Sequence, residues 1–152
     1  MRCASGPEAV RVSSESIGGR MPRLFRVIVP VPDMEAADAF YARVLDMEPD
    51  KVTPTRHYFD CDGVILALVD PSAHGRAFRA NPDLVYLALP NLEAALDRAV
   101  EAGAQFLDDD DVGWGIQQRV WGERSAYFTD PFGNPLCLVD DTTLFTGSGE
   151  AE

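Results

Sequence analysis

The sequence predicts an α+β fold of two tandem βαβββ modules, with curled mixed sheets around a cavity and helices outside. Two observations carry this: an internal repeat, and an order of elements in each half unlike the regular βαβα of a doubly wound parallel sheet. The repeat opens where Val29-Pro30-Val31-Pro32-Asp33-Met34-Glu35-Ala36-Ala37 reads against Leu87-Ala88-Leu89-Pro90-Asn91-Leu92-Glu93-Ala94-Ala95, at an offset of 58. Later, Ile65-Leu66-Ala67-Leu68-Val69-Asp70 reads against Pro135-Leu136-Cys137-Leu138-Val139-Asp140, at an offset of 70. The second copy therefore carries a longer hairpin or loop.

Each half starts with a strand and continues into a helix. Ala37, Phe40, Tyr41, Val44 and Leu45 form one apolar stripe at helical period, and Leu92, Ala95, Leu96, Ala99 and Val100 repeat the spacing. Asp33 and Asn91 stand as N-caps, because their side-chain oxygens can accept the first free backbone N–H groups. Gly103 suits the position after the second helix, and Asp46 holds the equivalent place after the first. The extended runs His57 to Cys61 and Val64 to Val69 flank Asp62-Gly63, a pair favoured in two-residue hairpins. In the second half, Gln117 to Trp121 turns at Gly122-Glu123 into Arg124 to Thr129. That strand turns through Pro131-Phe132-Gly133-Asn134 into Leu136 to Val139.

Composition bounds the partners. The chain has 152 residues, 46% hydrophobic and 25% charged, enough for one compact domain. A net charge of −12 repels nucleic acid and anionic membrane surfaces, so neither is an expected partner. The three cysteines, Cys3, Cys61 and Cys137, show no paired spacing, and reduced thiols in a cytoplasmic protein are the simplest account. Residues 1–20 hold little to bury and read as a disordered extension, with Met21 just before the first periodic segment. Residues 22–140 read as a single domain, module 1 at about 22–70 and module 2 at about 83–140. Residues 141–152 read as a C-terminal tail.

The duplicated helix starts resemble the vicinal oxygen chelate superfamily of glyoxalases, bleomycin-resistance proteins and extradiol dioxygenases. The resemblance also rests on Phe40-Tyr41 with Leu45, and on the run from Trp121-Gly122-Glu123-Arg124 to Asp130-Pro131-Phe132-Gly133-Asn134. It covers roughly 22–140. Members usually hold a divalent metal with four side chains, from the first and last strands of each module. Carried onto this sequence, those positions are Arg26, Ala67, Leu84 and Cys137. Arg, Ala and Leu offer a cation no lone pair, and one Cys does not make a site that needs three or four convergent donors. The expectation is an empty metal site, no cofactor, and the ligand-binding behaviour of the bleomycin-resistance subset. The alternative is a glyoxalase-like isomerase or lyase, or a dioxygenase-family enzyme, with a rearranged active site. The resemblance also implies a homodimer.

Taking the former ligand positions as inward, strand alternation nominates a cavity lining. Arg26, Tyr58, Asp60, Tyr86, Gln117, Arg119, Trp121, Phe128 and Cys137 are the candidate ligand-binding residues. Phe128 enters by pairing opposite Cys137. Flat aromatic walls with Arg, Gln and Asp handles suit a small aromatic or anionic organic ligand. Trp114 is placed to close over the mouth. Arg26 has a structural alternative, an ion pair with Asp60 or Glu123, and the aromatic residues have one in core filling. Parity turns His57 toward the helices, His74 falls in a loop, and Asp108 to Asp111 reads as a solvated turn rather than a calcium loop. Cys137 reads as a buried small hydrophobe, or as an activated thiol if Arg26 lowers its pKa.

Overall fold

The computed structural model describes residues 21–107 and 115–146. Module 1 runs β1 (Arg26–Pro30), α1 (Met34–Leu45), β2 (Asp50–Thr53), β3 (Arg56–Cys61) and β4 (Val64–Val69), followed by a short 3-10 turn at Pro71–His74. Module 2 runs β5 (Val85–Leu89), α2 (Leu92–Ala102), β6 (Gln105–Phe106), β7 (Gln117–Gln118), β8 (Arg124–Thr129) and β9 (Pro135–Asp140). Each module folds into its own mixed sheet, ordered β1-β4-β3-β2 and β5-β9-β8-β6, with β7 pairing β8. In both, the first and last strands lie side by side and parallel. The expected α+β architecture is found, with two sheets that do not close on each other.

The helix ends follow from local chemistry. Asp33 is extended and its Oδ1 accepts the Ala36 amide at 3.1 Å, while Asn91 accepts the Ala94 amide at 3.3 Å. Gly103 closes α2 at φ 113°, a conformation that costs glycine no clash with a Cβ. Asp46 closes α1 in the same left-handed region at φ 56°. At the first hairpin Asp62 and Gly63 both take positive φ, as the two-residue turn requires.

The helices cover one face of each sheet and also pack on one another. The cluster they share runs across both modules, with Phe40, Val44, Phe59 and Leu68 from one and Leu92, Ala95, Phe128, Leu136 and Leu138 from the other. Burying a side chain of this kind is worth about 1.5–3 kcal/mol, so the modules share one core.

A second link is polar. Asp130, fully buried, accepts the amides of Phe132 and Asn134 on Oδ1, both at 2.9 Å. Its Oδ2 accepts the Tyr41 hydroxyl of α1 at 2.7 Å and Asn134 Nδ2 at 2.8 Å. Asn134 Nδ2 also donates to the Pro30 carbonyl at 2.8 Å, and Asn134 Oδ1 accepts the Asn81 amide at 2.8 Å. The Asp-Pro-Phe-Gly-Asn turn thus clamps module 2 onto the end of β1. Burial, with Asp130 beside it, holds the Tyr41 phenol well above its usual range.

Candidate functional site

Opposite residues in a sheet share a face, so register assigns the faces away from the helices. On the first sheet Arg26 stands opposite Ile65, which stands opposite Asp60, and Ile28 opposite Ala67, which stands opposite Tyr58. Arg26, Tyr58 and Asp60 therefore share one face, as alternation predicts. The Arg26 guanidinium lies 5.2 Å from the Tyr58 ring centroid and 4.8 Å from that of Phe25. Asp60 Oδ1 accepts the Gly63 amide at 2.8 Å and so serves its own hairpin. His57 points to the helices, where Nδ1 sits 2.8 Å from both carboxylate oxygens of Asp38.

On the second sheet Tyr86 stands opposite Cys137, which stands opposite Tyr127; Ala88 stands opposite Val139, which stands opposite Ser125; and Gln117 faces Ser125. This row corrects one expectation. Phe128 pairs with Leu136, not Cys137, and is fully buried in the helix-side core. Five residues, Asp130 to Asn134, separate the paired Thr129 and Pro135, one position away from the register expected. The aromatic beside Cys137 is Tyr127, which the sequence reading passed over.

The hairpin before β8 also differs. The expected strand from Gln117 to Trp121 is regular only at Gln117–Gln118, because Gly122 N donates to the Arg119 carbonyl and makes a wider turn. Arg119 nonetheless faces the Cys137 row. Its Nε donates to Ser125 Oγ at 2.9 Å, its Nη2 to the Ser125 carbonyl at 3.2 Å, and the guanidinium lies 4.6 Å from the Tyr127 centroid. Tyr86 and Tyr127 meet edge to face at 6.3 Å. Cys137 is fully buried here, and burial is the main cause that pushes its thiol up to about 12. The thiol is protonated at neutral pH, and the cation beside it is Arg119, not Arg26.

Next to this row lies an open cavity of about 620 Å³. Tyr86, Ala88, Trp121, Glu123 and Val139 line it, together with Leu144 and Phe145 from beyond β9. A second cavity, about 530 Å³ and mostly apolar, runs between Val27, Ile65 and Leu66 of module 1 and Val85 to Pro90 of module 2. The strands carrying Arg26 and Ala67, and the strand that begins just after Leu84, border this groove, whereas β9, which carries Cys137, contributes no residue to its lining. Arg26, Tyr58, Asp60, Gln117, Arg119 and Cys137 line neither cavity. Trp114 and Asp108 to Asp111 lie outside the described residues.

A family model described as the Glyoxalase/Bleomycin resistance protein/Dioxygenase superfamily matches residues 23–138. The chain belongs to this superfamily. Solved superfamily structures share the fold at low identity. A glyoxalase-related enzyme from Fulvimarina pelagi aligns with a TM-score of 0.65 at 18% identity, covering 80% of this chain and 90% of that one. A glyoxalase/bleomycin resistance protein from Albidiferax ferrireducens T118 aligns at 0.63 and 21%, covering 76% and 97%. One from Catenulispora Acidiphila DSM 44928 aligns at 0.57 and 24%, covering 76% and 96%. No curated protein matches the chain.

The superfamily's metal positions do not fit a cation in this member. Arg26 is a permanent cation, Ala67 and Leu84 carry no donor atom, and the Cys137 thiol keeps its proton at neutral pH. Among the described residues, no three His, Cys, Asp or Glu side chains converge to hold an ion. No helix among them is long and apolar enough to cross a membrane.

Proposed function

We propose that this superfamily member binds a small, planar aromatic or anionic organic molecule, without a metal, on the open face of its second module. One observation carries the reading: the Arg119 guanidinium lies over Tyr127, which meets Tyr86 at the wall of the cavity that Trp121 also lines. The exposed Tyr86 and Trp121 rings suit a flat ring stacked on an aromatic wall, and the nearby guanidinium suits a carboxylate or phenolate carried by that ring. Arg26 with Tyr58 offers a similar cation–ring pair on the first sheet. The enzymatic alternative through Cys137 is opposed by a thiol that stays protonated.

We also propose a homodimer, in which a second copy covers the first sheet's open face. Leu24, Phe25 and Ile28, on β1 and just before it, are exposed apolar side chains, a cluster that a second copy would remove from water. Sedimentation of wild type and of Ile28→Glu tests it, a monomeric wild type being the contrary result.

The ligand reading is tested by thermal shift against a panel of aromatic carboxylates and phenols. A ligand of the native state raises Tm by mass action, and that rise should vanish in Trp121→Ala and weaken in Arg119→Met. Metal analysis of the purified protein is the second arm. A stoichiometric divalent ion that is lost on Cys137→Ala overturns the metal-free reading.

A further inference from the structure

Beyond β9 the chain turns back over the second sheet instead of leaving it. Its first part is tied down several times. Asp140 Oδ1 accepts both the amide and the hydroxyl of Thr142, at 2.9 and 2.8 Å. Thr143 donates its amide and its hydroxyl to the Asp140 carbonyl, and its hydroxyl oxygen accepts the Arg124 amide at 3.0 Å. Arg124 in turn pairs with Asp140 at 2.7 Å and with Glu93 of α2.

The next two residues, Leu144 and Phe145, are half exposed and line the 620 Å³ cavity. Their hydrogen-bonded hold is the Phe145 amide on Glu123 Oε2, at 2.9 Å. The other oxygen of the same carboxylate accepts Trp121 Nε1, at 2.8 Å. One side chain therefore fixes both an aromatic wall of the cavity and the strap beside it.

We infer that Glu123 is a positioning residue that latches the Leu144–Phe145 strap and the Trp121 ring together, and so sets the width of the cavity. The strap hinges after Thr143, where the dense bonding among the described residues stops. With the latch closed, the space between Tyr86, Trp121 and Phe145 admits a flat ring. With it open, Trp121 loses its wall partner, and larger aromatic molecules are admitted. The inference concerns the cavity's gate and stands whether or not the ligand class proposed above is right.

The test follows Trp121 itself, in a Trp114→Phe background that leaves one tryptophan. Four chains are compared: the parent, Glu123→Gln, Glu123→Ala, and a chain ending at Thr143. The Gln amide has one acceptor oxygen and can keep one of the two bonds, whereas Ala keeps neither. Losing a hydrogen bond of ordinary worth shifts an open–closed equilibrium by roughly three- to tenfold. Acrylamide quenching of Trp121 should therefore rise in the order parent, Gln, Ala, with the truncated chain at least as high as Ala. Affinity for the dye anilinonaphthalene sulfonate should rise in the same order. Unchanged quenching in the folded truncated chain and in Glu123→Gln overturns the inference, and these two variants decide it if Glu123→Ala fails to fold. A quenching rise without any change in dye affinity also overturns the claim that the latch sets cavity width.

Discussion

Arg43 Nη2 and Glu101 Oε1 lie 2.8 Å apart, and their positions differ by 58, the offset of the internal repeat. Residues equivalent in the two modules therefore touch. Such a contact fits an approximate two-fold axis passing between α1 and α2. Two copies of an identical module would set like against like on such an axis; here the duplicated positions have diverged to opposite charges. Beside the pair, Arg98 donates to the carbonyls of Arg43 and Val44, at 2.7 and 3.1 Å, and caps the end of α1 from α2.

These two arginines should differ in worth. Arg43 and Glu101 side chains are 50% and 66% exposed, so water screens the pair. Arg43→Ala should cost below about 0.5 kcal/mol. Arg98→Met keeps the stem but strands two helix-end carbonyls, and should cost about 1–2 kcal/mol in urea unfolding. Equal losses would mean that the carbonyl cap contributes nothing.

The register of β8 against β9 makes a second pair of expectations. Phe128 fills the core, so Phe128→Ala should destabilise by about 3–5 kcal/mol. Tyr127→Phe keeps the ring under Arg119 and should stay within about 1 kcal/mol of wild type. A near-neutral Phe128→Ala in chemical denaturation would restore the register that the sequence alone suggests.

The clamp at Asp130 should be among the costliest polar sites to disturb. Tyr41→Phe removes one donor from a buried carboxylate, for about 1–3 kcal/mol. Asp130→Ala leaves the Tyr41 hydroxyl and two turn amides without their acceptor, and should cost about 3 kcal/mol or more. Because the two changes act on one bond, a double-mutant cycle should show them strongly non-additive.

Cys137 gives the fold an alkaline limit. Its native value, about 12, lies above the ordinary 9.0, so the folded state binds the thiol proton more tightly than the unfolded chain does. The stability from this difference is whole below pH 9.0 and is lost as the pH rises toward 12. Urea midpoints for wild type should fall across that window, and those for Cys137→Ala should fall less. Identical slopes would remove Cys137 as the cause.

Much of the fold was legible because it is written in periods. The two helical stripes, their caps, the Asp62-Gly63 hairpin and the direction of His57 follow from spacing and parity. So does the shared face of Arg26, Tyr58 and Asp60. What failed was pairing across the two turns of module 2. The five-residue turn is set by Asp130 folding inward to bind Phe132, Asn134 and Tyr41, and no local pattern reveals that a loop Asp will be buried. The exchange of Phe128 for Tyr127 follows from that one step. Glu123 and the strap were hidden for a different reason, since two apolar residues beyond the last strand have no period to betray them.

The clamp also has a consequence for synthesis. Asn134 reaches back 104 positions to the Pro30 carbonyl, and Asp130 reaches back 89 to Tyr41. A ribosome releases module 1 long before these partners exist, so its α1 must wait with a phenol that has no acceptor and a core half supplied. Contacts so distant along the chain are entropically late, and an emerging first half stays loose until the final strand arrives. Nascent chains halted before Asp130 should therefore be open to proteases throughout, whereas chains that have cleared Asp140 should resist them all at once.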